Sequence, residues 1–335
     1  YQSSTGSHQC LACAAGQYST GGAASCLSCE AGKYNPSQGS NSCTSCSAGT
    51  VSSSGATKCS NCGPGYFQPS SGQASCLNCG PGTYSTGVTN PSCTTCGPGT
   101  YSSGSNNDKF STCVAGRYAP GSGNSACTLC EAGKFGSKAG MGSCTVCPAG
   151  MYSSSRGSVS CAACGPGTYS DPGATSCTDC TAGTYAASSS MAACVACAAG
   201  SYSGAAASSC VSCEAGKYQG ATGQTTCIFA PPGKYALAGA TIATVCVPGT
   251  YTPTPGNTAC GSCSSGKYSL TGYSSCLHCQ PGKYMATEGA SACLLCAAGY
   301  YATNTGQTVC QICVAGESLP PSLSSRSVYM MTVLT

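Results

Sequence analysis

Tryptophan is absent from the 335 residues of this chain, and phenylalanine and histidine occur only four and two times. Leucine, isoleucine and valine add 12, 3 and 13 more, so large apolar side chains fall far short of what a packed globular core needs. Charge is equally scarce: 12 Lys and Arg against 8 Asp and Glu give a net +4. That scatter of cations excludes a nucleic-acid footprint. Eight carboxylates with only His8 and His278 leave no constellation for catalysis, and no unit clusters the acids that calcium requires, so an enzyme is not expected. No apolar run is long enough to span a membrane. Tyr1–Gln9 have no signal-peptide character, as expected of a processed chain or of a section of a longer one. Both candidate N-glycosylation sites, Asn35 and Asn90, are blocked by a following proline.

Cysteine is what the chain has in plenty, 35 residues in all, the level of a scaffold in which covalent cross-links replace a hydrophobic core. The cysteines are periodic. Taking the first position of each Cys-x-x-Cys, units begin at Cys10, Cys26, Cys43 and onward to Cys310, every 16 or 17 residues, 19 in all. A perfect array would hold 38 cysteines; Phe110, Ala230 and Ala243 stand where the missing three should be. Three residues after each second position lies a glycine, Gly16 through Gly316, preceded by Ala or Pro in every unit except at Ser265. That dipeptide fits the two central positions of a type II turn, whose second residue needs a positive φ. Two residues further on an aromatic follows in 17 of 19 units, Val51 and Ser318 excepted. The pattern predicts small disulfide-rich repeats: a solenoid-like rod of short irregular β-hairpins with almost no helix. Residues 1–9 form a lead-in, 10–318 the array and 319–335 a Pro/Ser-containing tail or linker, in which Val328–Thr335 could form a docking strand.

The gaps suggest how the cysteines pair. If the second cysteine of each unit bonds the first of the next, positions 230 and 243 are partners, and their joint loss strands nothing. A nested scheme, first to first and second to second, would leave orphans elsewhere. The sequential scheme gives Cys13–Cys26, Cys29–Cys43, Cys46–Cys59, Cys62–Cys76, Cys79–Cys93, Cys113–Cys127, Cys130–Cys144 and Cys147–Cys161. It continues through Cys164–Cys177, Cys180–Cys194, Cys197–Cys210, Cys213–Cys227, Cys246–Cys260, Cys263–Cys276, Cys279–Cys293 and Cys296–Cys310. Cys10, Cys96 and Cys313 are left over. Spacing alone does not fix connectivity, and zinc at each cysteine cluster is a competing reading. Where the 230–243 bond is lost, Ile228, Phe229, Leu237, Ile242 and Val245 crowd together, and an apolar clasp is expected to replace it.

The segments "CAAGQYSTGGAASCLSC" and "CGPGTYSSGSNNDKF" resemble the ephrin-receptor-like cysteine-rich repeat, and also the first loop of a TNF-receptor module. The resemblance covers residues 10–318 and implies an extracellular, disulfide-laddered rod of the kind found in surface and secreted proteins of single-celled eukaryotes. Glu30, Glu131 and Glu214 each stand three residues before a lysine in "EAGK" and are expected to form local ion pairs. The tyrosines are expected to cover their own disulfides, or, if units stack with constant rotation, to line one edge as a platform for proteins or sugars. Thr252, Thr254 and Ser322 are candidate O-glycosylation sites. Flat stacking of one hairpin layer per unit would advance about 10 Å each and give a rod above about 150 Å, each unit touching mainly its neighbours. The function expected is a structural subunit of a fibril, surface coat or flagellar hair, without cofactor, associating with itself or with other surface proteins. The alternatives are an adhesion or receptor stalk that presents or binds a protein or glycan, and, more distantly, a metal-loaded thiolate protein.

Overall fold

The computed structural model describes residues 1–314; the tail 319–335, with Ser322 and Val328–Thr335, lies outside the described residues, as do Gly316 and Ser318. Two compact units divide the chain, one holding Tyr1–Cys164 and Ser170–Cys177, the other Gly165–Tyr169 and the residues from Thr178 onward. The same repeat builds both.

Among the described residues there is no helix, and 36 two-residue strands pair into 18 antiparallel hairpins. The first strand of each hairpin is the aromatic, or Val51 in its place, and the residue before it; the second is the pair between the two cysteine positions. Thus Gln17–Tyr18 pairs with Leu27–Ser28, and Lys217–Tyr218 with Ile228–Phe229. The turn ahead of each first strand is the one expected from Ala/Pro-Gly. The Gln17 amide donates to the Ala14 carbonyl at 3.0 Å, with Gly16 at φ +84°. Two residues per strand is too little for independent stability, so the hairpins must be held by what surrounds them.

Main-chain bonds to later repeats do part of this. The Gly16 amide donates to Asn35 O at 2.9 Å, and the Gly39 amide donates back to Cys13 O at 2.9 Å; the second half repeats this with Gly216 to Ala236 and Gly239 to Cys213, both 2.8 Å. Contact also reaches two repeats on, where nearest-neighbour stacking was expected. A Cβ on Gly16 would overlap the Gly55 carbonyl oxygen, and one on Gly183 would overlap that of Gly223. Flat layers about 10 Å thick would hold these pairs about 20 Å apart, so the successive hairpins are not flat layers and the length estimated from them does not apply. The turn glycine is thus fixed twice, by its positive φ and by a carbonyl lying where a side chain would be.

Within each unit the core is a narrow column. From Cys13 to Cys279 every second-cysteine position, Ala230 included, is 0–1% exposed. Its companion is the residue after the aromatic, or after Val51 where that replaces it, among them Ser52, Ser85, Ser170, Thr252 and Ser269, all buried. These side chains are polar because each donates across to a carbonyl of the preceding unit: Ser52 Oγ to Lys33 O at 3.0 Å, Thr252 Oγ1 to Lys234 O at 3.1 Å, Ser269 Oγ to Thr250 O at 2.9 Å. Buried hydroxyls are tolerated when paired, and no buried side-chain N or O among the described residues lacks a partner.

Candidate functional site: the disulfide ladder and its two gaps

Sixteen of the 18 hairpins are closed by a bond running from the inner column to the flank. The buried second cysteine of one unit meets the half-buried first cysteine of the next, with Cα atoms 5.6–5.8 Å apart across 13 or 14 residues. Sixteen such bonds join Cys13–Cys26 through Cys296–Cys310 in sequential order. Their 32 sulfurs are committed to one another and are not thiolates free to hold zinc. Each bond closes a loop whose constraint on the unfolded chain is worth about 3 kcal/mol.

Three cysteines are unpaired: Cys10 is exposed, Cys313 half-buried and Cys96 fully buried. Cys96 keeps its seat in the column, and burial pushes its thiol pKa up. The Phe110 ring is 45% exposed and packs edge-on against Tyr84, with centroids 5.3 Å apart. That is the one aromatic pair in contact among the described residues, so the tyrosines do not form a continuous stack. Apart from the exposed Tyr66 and Tyr300 and the loop residues Tyr1 and Tyr273, those described are half-buried, each in its own hairpin.

At the second gap Ala230 sits in the column with Ala243 on the flank. The main chain is undisturbed: the Ala230 amide donates to Gly216 O at 2.9 Å, and Ala230 O accepts from Gly256 at 2.8 Å. The apolar clasp expected here is absent. Ile228, Phe229, Leu237, Ile242 and Val245 are 39–70% exposed. Ile228 and Phe229 lie between the two cysteine positions, and this strand faces outward in every hairpin because the second cysteine and the residue after the aromatic fill the column. Phe229 instead lies against Gly256 and under the Lys217 ammonium, 5.0 Å from the ring centroid.

The remaining expected sites fall as follows. Lys33, Lys134 and Lys217 pair with Glu30, Glu131 and Glu214 at 2.9, 3.4 and 3.3 Å. The hydrogen bond and charge of Lys33 hold the Glu30 carboxyl below its ordinary value, and Glu30 in turn raises Lys33. Of the O-glycosylation candidates, Thr252 is 1% exposed with its hydroxyl engaged at Lys234 O. Thr254 is exposed. Sequence reasoning missed the buried residue after the aromatic. Its signal was there: the position holds Ser, Ala, Thr, Asn, Gln, Gly or Met, never a charge, in every described unit.

Tandem hairpins of this size, each latched to the next by one disulfide, define the class of small cysteine-rich repeat proteins. The sequence family with which the chain agrees is described as tyrosine-protein kinase ephrin type A/B receptor-like, and it matches residues 16–54, 49–90, 116–164, 167–202 and 200–240. These segments cover more than half of the sequence, and the chain belongs to that family. No curated protein matches it. Among the described residues no helix is long and apolar enough to cross a membrane.

Proposed function

We propose that the chain is an extracellular structural module, the load-bearing part of a fibril, cell-surface coat or flagellar hair that associates with copies of itself. An oxidising exterior suits a chain with sixteen disulfides and membership of a receptor-ectodomain repeat family. The observation that carries the mechanical reading is the covalent path. From Cys13 through its bond to Cys26, along three residues to Cys29 and through the next bond to Cys43, force travels without entering the 13- and 14-residue loops. A catalytic role has no comparable support. Negative-stain microscopy of the purified oxidised chain tests the assembly: filaments or regular bundles are expected, and monodisperse single chains at all concentrations would overturn it.

Membership of a receptor-type family supports a second reading, a stalk that presents or binds a ligand. Saturable binding of one protein, retained by chains that never assemble, would favour it.

A further inference from the structure

Two small concavities occupy the same place in the repeat, one in each half of the chain. Tyr18, Glu30, Lys33, Ser42 and Cys43 line one of about 170 Å³. Tyr202, Glu214, Lys217, Thr226, Cys227 and Phe229 line the other, of about 240 Å³. In both, the aromatic comes from one unit, the Glu–Lys pair from the next, and the hydroxyl from the residue before the following first cysteine. Only three units in the chain carry "EAGK", and the third sets Tyr118, Glu131, Lys134 and Ser143 at the same positions.

The chemistry of the set narrows what it could hold. Each lysine takes only the Oε2 oxygen of its glutamate, and the glutamate side chains are 63–77% exposed, so Oε1 is open to an incoming donor in all three. The ammonium has two further protons, and the Ser or Thr hydroxyl both donates and accepts. The ion pair has no net charge, which favours neither an anion nor a cation. The half-buried tyrosine supplies a flat apolar wall beside these polar groups. The cavities are well below the roughly 300–1,000 Å³ that hold a drug-sized ligand. A neutral ring with adjacent hydroxyls on one edge and C–H groups on its face answers each of these features.

We propose that the three EAGK units are subsites for single neutral sugar rings of an extracellular polysaccharide. Each takes adjacent ring hydroxyls on the glutamate Oε1 and the lysine ammonium, with the ring face against the tyrosine. One such contact binds weakly, and three on one chain give a polymer its affinity through effective concentration. The proposal goes beyond the structural role and does not depend on it, since a single chain carries all three subsites.

The test is saturation-transfer NMR on the intact oxidised chain, irradiating tyrosine protons, with methyl glucoside, galactoside and mannoside, and with dextran, galactan and mannan. At least one glycoside should receive saturation on its ring protons, and its polymer should bind about tenfold or more tighter. The triple variant Glu30→Gln, Glu131→Gln, Glu214→Gln removes surface charges only and should keep its melting temperature while polymer affinity falls about tenfold or more. Glu288→Gln, outside the three units, should change nothing. No transfer to any glycoside or polymer would overturn the proposal, as would equal binding by the triple variant and the parent chain. Neither result bears on whether the chain forms filaments, which microscopy reads separately.

Discussion

Stretching the chain between its first and last units, with and without reductant, puts a number on the mechanical reading. Each disulfide holds its two Cα atoms 5.6–5.8 Å apart across a loop of 13 or 14 residues. A taut chain covers at most about 3.3–3.6 Å per residue, so opening one bond releases about 40–43 Å of contour. Over all sixteen bonds the reduced chain should therefore run about 680 Å longer than the oxidised one. With the bonds intact, a repeat can lengthen only to about 16 Å, three taut residues plus one disulfide. The two gaps behave differently. No disulfide clamps the chain from Cys96 to Phe110 or from Ala230 to Ala243, so the oxidised protein should yield two extra extensions of about 40 Å each. Single-molecule force spectroscopy, with the chain tethered through fusions at both ends, resolves steps of this size. A reduced chain no longer than the oxidised one would refute the reasoning, and so would regular steps of about 40 Å along the whole oxidised array.

Three further outcomes follow from the same geometry. Ala230→Cys with Ala243→Cys should form a seventeenth bond of the repeat's own kind, stabilise that loop by about 3 kcal/mol and abolish one of the two extra extensions; two free thiols by mass spectrometry would refute it. Gly183→Ala should destabilise clearly more than Gly282→Ala, because both sites have positive φ, +89° and +82°, but only the first faces a carbonyl where the new methyl would lie. The positive φ alone costs about 1–2 kcal/mol, and the overlap adds roughly 1–3 kcal/mol; equal losses in urea midpoint would show that the contact two units on is not made. The buried Cys96 thiol has a raised pKa, so its contribution to stability is complete below the ordinary thiol value of 9.0 and declines as pH rises above it. At neutral pH a thiol reagent should label Cys10 at once and Cys96 only as fast as its unit opens, a rate that should climb above pH 9; prompt labelling of Cys96 at pH 7 would contradict its burial.

The hairpins, the turn and the order of the disulfides were all legible in the sequence because they are local. A Gly at one fixed offset in 19 units and two cysteines missing together are patterns within one or two repeats. The contact between Gly16 and Gly55 was not legible. It depends on how far each hairpin rotates against the next, a quantity that no residue type encodes. The hydroxyl column was overlooked for a different reason. Ser52 or Ser269 reads as a surface residue, and only the carbonyl of the preceding unit makes its burial favourable. The clasp does not form because apolar character alone does not bring burial. In a fold whose interior is one cysteine and one further side chain wide, Ile228 and Phe229 have no interior to enter.

The same narrowness explains which losses the ladder accepts. The two ends of each bond occupy unlike seats, one in the column and one on the flank. In the column the constraint is volume: at position 230 an alanine fills the seat, and at position 96 a cysteine that has lost its partner stays in place as a small buried hydrophobe. On the flank the constraint is light, and an alanine stands there at 243 and a phenylalanine, turned out toward Tyr84, at 110. Deleting the column cysteine alone would leave its flank partner with a reactive, half-exposed thiol, whereas deleting the flank cysteine alone leaves a thiol sealed from solvent. The chain contains the second kind of single loss, at Phe110, and elsewhere between Cys13 and Cys310 only the paired kind. An array built this way can drop a rung without exposing sulfur, because its main-chain bonds, Ala230 to Gly216 and Gly256 to Ala230, hold the register where the covalent link is gone.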